Sequence, residues 1–102
     1  MYNGYSNYET WVVNLWIDNT EHVYNYWKDS AKEAYRKAKN TNLENKKDEA
    51  VYSLAEEMKN YYHETMPQIS GVFGDLMNSA LQEVNWHEIA KIHVENFIEV
   101  EA

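Results

Sequence analysis

The chain has 102 residues, of which 44% are hydrophobic and 25% are charged, a composition that suits one folded domain and excludes a chain disordered throughout. It has no Cys, which excludes disulfides, thiolate catalysis and Cys-based metal sites. The net charge is −8, from 17 acidic residues against nine Lys and Arg, and such an electronegative body disfavours direct binding to nucleic-acid phosphates.

The first predicted helix covers residues of about 7–18. Its apolar residues recur at helical spacing and share one face, which predicts the side that packs in the core. The members of this face are Tyr8, Trp11, Val12, Leu15 and Trp16. Ser6, followed three residues later by Glu9, indicates a capping box in which Ser6 is the N-cap of the helix.

The second predicted helix covers residues of about 20–39, and either Asp18 or Thr20 can cap it. Its apolar line consists of Val23, Tyr24, Trp27, Ala31, Ala34 and Ala38. Its outer face is rich in bases, and bases late in a helix suit the negative end of the helix dipole.

The third predicted helix covers residues of about 42–64, with Thr41 and Glu44 as a possible capping box. Its apolar line consists of Leu43, Ala50, Val51, Leu54, Met58, Tyr61 and Tyr62. Pro67 ends this helical region, because proline disfavours a helical conformation at the residue before it.

The last two predicted helices cover approximately residues 71–83 and 86–99. Ser70 is the expected N-cap of the first, and Asn85 is that of the second, with Glu88 three residues later. The apolar stripe of the first consists of Val72, Phe73, Leu76, Met77, Ala80, Leu81 and Val84. The stripe of the second consists of Trp86, Ile89, Ala90, His93 and Phe97.

No segment alternates apolar and polar residues with the period of a strand. The sequence therefore predicts an all-α fold. We expect residues 1–102 to form a single domain, a compact bundle of about five helices with short connections.

The sequence contains no recognisable catalytic set, and we expect neither an enzyme nor a bound metal or cofactor. His87 and His93 are six residues apart, whereas a helical zinc pair needs two His residues four apart on one face. His93 lies on an apolar stripe, which predicts a partly buried imidazole with its hydrogen bonds satisfied. Glu88 has a capping role available.

The first residues, MYNGYSNYE, lack a basic segment followed by an apolar run, so we expect no signal peptide. No stretch approaches the roughly 18 apolar residues of a membrane-spanning helix. Together with the absence of Cys, these features favour the cytoplasm of a host cell as the location.

Three short segments resemble a group of small proteins from bacteriophages and other mobile elements. They are N-Y-E-T-W at 7–11, L-W-I-D-N at 15–19 and W-H-E-I-A at 86–90. This group has no assigned activity, so the resemblance implies an origin and no catalytic residues.

Small acidic proteins of this origin resemble inhibitors of host defence, such as anti-CRISPR and anti-restriction proteins, whose targets bind nucleic acid through basic channels. The resemblance implies a protein that binds and inhibits a host protein, with a nucleic-acid-targeting defence complex as the best candidate. Its carboxylates would lie where phosphates otherwise lie. The expected acidic face consists of Asp75, Glu83, Glu88, Glu95, Glu99 and Glu101.

Two alternatives stay open beside this hypothesis, and the acidic residues can also be no more than the solvent side of two amphipathic helices. The first alternative is a structural or regulatory homodimer joined by exposed aromatic residues, with Trp11, Trp16, Tyr24 and Trp27 as candidates. The second is a weak nucleic-acid binder that uses the basic face of the second helix, with Lys28, Lys32, Arg36 and Lys37.

Overall fold

The computed structural model describes residues 1–101, and of Glu101 only the backbone at the end of the last helix. Its elements are α1 (Tyr8–Asn19), α2 (Glu21–Lys37), α3 (Leu43–Thr65), α4 (Val72–Glu83) and α5 (Trp86–Glu101). No strand is present in residues 1–101, and the predicted all-α bundle is confirmed. Each predicted helix is present, with ends that differ from the prediction by at most two residues, as is usual for helix termini.

The core lies between α2, α3 and α5. The side chains of α3 that face it, Leu54 and Met58 among them, are fully buried, as are Trp27 of α2 and Ile89 of α5. The apolar lines predicted for the second and fifth helices are largely confirmed. The core cluster consists of Ile17, Trp27, Ala31, Ala50, Val51, Leu54, Met58, Val84, Trp86, Ile89, Ala90 and Val94.

Aromatic rings fill one end of this core. The indole Nε1 of Trp27 donates a hydrogen bond of 3.3 Å to the Tyr62 hydroxyl. The ring of Tyr62 also stacks on the ring of Trp86, with centroids 5.2 Å apart. The polar atoms that large aromatic side chains carry into a core therefore find a partner inside it.

The predicted N-caps are right for α5 and wrong by one residue for α1, α3 and α4; for α2 the structure selects Thr20 of the two candidates, although its side chain makes no capping hydrogen bond. Asn85 accepts the backbone N–H of Glu88 at 3.0 Å, as expected. In α1 the N-cap is Asn7 and not Ser6, and in α3 it is Asn42 and not Thr41. An Asn side chain caps as well as Ser or Thr, so each pair of neighbouring candidates differs little in intrinsic preference.

The predicted buried face of α1 is wrong. The structure buries Thr10, Asn14 and Ile17, whereas Leu15 and Trp16 are exposed. A polar side chain can be buried at low cost when its hydrogen bonds are satisfied, and Thr10 and Asn14 both find partners near or in α5.

The predicted stripe of α4 is also only partly buried. Val72, Phe73 and Leu76 are exposed, and the helix contacts the rest of the bundle through its other side. Gly74 is buried on that other side, where a Cβ atom would overlap the Ile69 carbonyl oxygen. The N-cap is Gly71, which has a φ of 80° and no side chain to bond the first turn, so the prediction of Ser70 as cap is wrong.

Candidate interaction surfaces

The N-Y-E-T-W segment and the start of α5 are in direct contact. The Ser6 hydroxyl and the Ser6 backbone N–H both donate to Glu88 Oε1, at 2.7 and 3.2 Å. The Thr10 hydroxyl accepts the backbone N–H of Asn85 at 2.8 Å. Glu88 therefore holds the N-terminal segment, in addition to lying in the first turn of α5.

Asn7 completes this contact with both ends of its side-chain amide. Its Oδ1 accepts the Thr10 backbone N–H at 2.9 Å, which caps α1, and its Nδ2 donates to the Glu83 carbonyl oxygen at 2.7 Å, at the end of α4. We use the term N-terminal clamp for the contacts of Ser6, Asn7 and Thr10 with Glu83, Asn85 and Glu88. The N-Y-E-T-W and W-H-E-I-A segments thus have a structural role, because the contacts around them join the start of α1 to the start of α5.

A buried polar network joins α1 to α5. Asn14 Oδ1 lies 3.1 Å from His93 Nε2, and its Nδ2 donates to the Tyr5 hydroxyl at 2.8 Å and to Asp18 Oδ2 at 3.2 Å. Because an amide oxygen only accepts, His93 Nε2 carries the proton in this arrangement. Burial lowers the pKa of His93, and the nearby Asp18 carboxylate opposes that shift.

The predicted histidine roles can now be compared with the structure. His93 is buried and hydrogen-bonded, which confirms the prediction, whereas His87, six residues earlier on α5, is exposed. In the described part of the chain, no three His, Asp or Glu side chains are placed to hold a metal ion together.

The residues of the predicted acidic face differ in exposure and in their contacts. Asp75, Glu83 and Glu99 are exposed, and the side chain of Glu101 lies outside the described residues. Glu88 is held by the N-terminal clamp. Glu95 forms an ion pair of 2.7 Å with Lys47 of α3, and this hydrogen bond raises the pKa of the lysine.

The basic side chains of α2 are exposed, but the predicted set of four is divided. Lys28, Lys32 and Arg36 follow one another at intervals of four residues and so share a face, whereas Lys37 points away from it. Both Arg36 and Lys37 lie near Glu33, at N–O distances of 2.6 and 3.9 Å. This acidic neighbour reduces the positive potential that a phosphate would meet.

The four predicted interface aromatics lie in different environments. Trp27 is fully buried, so its assignment to an interface is wrong, and Tyr24 is half-buried against the His93 ring. Trp11 is half-buried against the ring of Tyr2. Trp16 alone of the four is largely exposed, at 69%.

Sequence reasoning missed an apolar part of the surface. Ile69, just before α4, and Val72, Phe73 and Leu76 in its first turns are all exposed, and we name these four residues the α4 surface. The apolar stripe that predicts α4 also indicates this surface. Such a stripe shows that the helix has a face that can be buried, but it does not identify the partner that covers the face.

Comparison with known proteins places the chain in a family. The sequence model of a family of unknown function, DUF7249, matches residues 1–101. The chain belongs to the DUF7249 family. No curated protein and no solved structure matches it. Membership covers the clamp, the buried network and the α4 surface alike, and it assigns an activity to none of them.

The helices of the DUF7249 chain can also be compared with the requirements of a lipid bilayer. None of those in residues 1–101 is both long enough and apolar enough to cross a membrane.

Proposed function

We propose that this protein is a non-enzymatic interaction protein that binds and inhibits a host protein with a basic surface. A nucleic-acid-targeting defence complex of the CRISPR or restriction type is the best candidate, in the host of a phage or mobile element that encodes the protein. The resemblance of the 7–11 and 86–90 segments to phage proteins supports the proposed origin in a phage or mobile element.

The observation that carries the proposal is unpaired negative charge. Among the side chains of residues 1–100, ion pairs use only two carboxylates, those of Glu33 and Glu95. No acidic side chain in that range is buried. Most of the charge that gives the chain its net value of −8 thus remains available to a partner.

Exposed carboxylates of this kind can replace phosphates in a basic channel. Asp75, Glu83 and Glu99 are free of the internal contacts that hold Glu88 and Glu95, so we assign the first contact with the partner to these three side chains. Long-range attraction of this kind speeds association and weakens as salt screens the charges.

The test begins with capture on the immobilised protein from a lysate of its bacterial host, with washes at low and at high salt. Mass spectrometry then identifies what remains bound. Recovery of a nuclease, or of a CRISPR or restriction subunit, that high salt releases is the expected result. Recovery of no such protein under either condition contradicts the proposal for that host.

Charge neutralisation distinguishes a dedicated face from general acidity. A triple variant with Asp75→Asn, Glu83→Gln and Glu99→Gln should bind the captured target at least about tenfold more weakly, because it removes the assigned contacts. The matched control with Asp48→Asn, Glu56→Gln and Glu64→Gln makes the same change of net charge at exposed positions of α3. Equal losses in both variants would show that no dedicated acidic face exists.

A further inference from the structure

The α4 surface is large for an uncovered part of a small protein. Ile69, Val72, Phe73 and Leu76 are 49%, 65%, 72% and 61% exposed. On a helix, the last three fall within an arc of about 100°, and Ala80 lies in the same arc. The result is an apolar stripe along the outer side of residues 72–80, beyond which Glu83 lies in the same arc.

This stripe continues over the neighbouring surface. Further round α4, Met77 and Leu81 line a shallow apolar depression together with Tyr62 and Pro67. Tyr62 also lines a second apolar groove, whose far wall includes the exposed Trp16. Apolar side chains thus also line depressions on the side of α4 next to the stripe.

We infer that the α4 surface binds a second copy of this chain, with the two α4 helices antiparallel and related by a two-fold axis that passes near Leu76. In such a pair the same residues meet from both sides, so the surface must be complementary to itself. The order of large and small side chains along the stripe meets this requirement.

The complementarity follows from the positions along α4. A two-fold axis at Leu76 places the two copies of Leu76 against each other. It also places Val72 of one copy opposite Ala80 of the other, and Phe73 opposite Ser79 and beside Ala80, at both ends of the contact. A large ring thus meets a small methyl group twice, which allows the helices to approach closely.

The distribution of charge favours a second copy at this place. Residues 66–82 contain a single charged side chain, that of Asp75, in a chain whose net charge is −8. Two such acidic bodies repel each other least where this segment faces its own copy. In the antiparallel pair, Glu83 of the second copy lies near the start of α4, where Gly71 provides no side-chain cap and the helix dipole favours an anion.

The area is sufficient for a specific but weak dimer. At these exposures the stripe and its margin present on the order of 500 Å² per copy, and so about 1,000 Å² in a pair, which is near the lower limit for a specific interface. A dissociation constant in the micromolar range is expected for an interface of this size, with the tighter values requiring better packing than area alone provides.

The first test is sedimentation velocity from about 1 µM to about 500 µM, a range that brackets a micromolar dissociation constant. We expect a reversible monomer–dimer equilibrium. Leu76→Asp should raise the dissociation constant at least about thirtyfold, because it places two carboxylates on the axis. The matched control is Leu43→Asp, at a residue of α3 that is 72% exposed, and it should have no effect.

The second test fixes the geometry, and the absence of Cys makes it direct. Leu76→Cys should form a disulfide-linked dimer rapidly under mild oxidation, because the two-fold axis brings residue 76 close to its own copy. Leu43→Cys should form such a dimer only slowly, by random collision. Cross-linking at equal rates contradicts the antiparallel arrangement.

A monomer at every concentration overturns the inference and leaves the α4 surface to a different protein. This result can be distinguished from a failure of the proposed function, because salt acts in opposite directions on the two contacts. Salt weakens binding to a basic partner, whereas it strengthens an apolar contact between two acidic bodies.

Discussion

Leu54 of α3 and Leu76 of α4 occupy similar places in two amphipathic helices, but Leu54 is fully buried and Leu76 is 61% exposed. Around Leu54, α2 and α5 cover both sides of α3 and make a continuous core. Around Leu76, nothing in residues 1–101 covers the outer side of α4. The comparison teaches that an apolar stripe predicts a helix with a face to bury, and that the partner of that face must be found separately.

Truncation of Leu54 and of Leu76 to alanine should give the largest difference in the loss of stability. Leu54→Ala is expected to lower the free energy of unfolding by about 2–5 kcal/mol, because it removes buried methyl groups and leaves a cavity. Leu76→Ala should change it by less than about 0.5 kcal/mol in the monomer, as for other surface sites. Urea unfolding at low micromolar protein concentration measures both values. Similar losses in the two variants would mean that α4 is as well packed as α3.

Gly74→Ala tests how α4 is held on its inner side. Ala normally favours a helix over Gly by about 1 kcal/mol, but here the added methyl group would overlap the Ile69 carbonyl oxygen. We expect a net loss of about 1–3 kcal/mol, as for other overpacked sites. Hydrogen exchange should become faster in α4 and not in α3. The control is Ser79→Ala, at an exposed position of the same helix, and it should not lose stability.

The pH dependence of stability tests the polar attachment of α1. Burial lowers the pKa of His93 in the folded state, so the unfolded chain binds this proton more readily. The contribution of neutral His93 to the free energy of unfolding is therefore complete above the usual pKa of about 6.5. It is lost as the pH falls below that value. The slope cannot exceed about 1.4 kcal/mol per pH unit for one proton.

Urea unfolding between about pH 5 and about pH 8 measures this slope, within the range where an imidazole titrates. His93→Gln keeps a donor for Asn14 and removes the titration, so the variant should have a flatter profile than the natural protein. Identical profiles would show that His93 does not control the acid side of the stability curve.

Helical periodicity was sufficient to predict the five helices and most of the core faces of α2, α3 and α5, because nearly all of their buried side chains are apolar, with His93 as the exception. At the two ends of the predicted α3 line, Leu43 and Tyr61 are exposed. It failed for α1, where Asn14 and Thr10 are buried and Trp16 is not. The reason is physical: a satisfied hydrogen bond lets a polar side chain replace an apolar one in the interior. The partners that satisfy it, Asn85 and His93, are about 75 or more residues away in sequence, beyond the reach of a local pattern.

The candidate surfaces were predicted less well than the fold. The sequence correctly identifies Asp75 and Lys28 as exposed charged side chains, but it does not reveal that Glu95 is paired with Lys47 or that Glu88 is bound by Ser6. These contacts form between helices that only the tertiary structure brings together. An amphipathic pattern likewise could not distinguish the uncovered stripe of α4 from the covered line of α3.

The N-terminal clamp has a consequence for the order in which contacts can form during synthesis and folding. Its bonds join residues that are 75 to 82 positions apart. Synthesis begins at the N-terminus, so α1 emerges with its anchoring segment while residues 83–88 do not yet exist. The start of α1 must then wait for almost the whole of the described chain before it can be fixed, and contacts of such long range are also the slowest to form in folding. The start of α1, the first of the five described helices, is thereby fixed only after α5, the last of them, has begun to form.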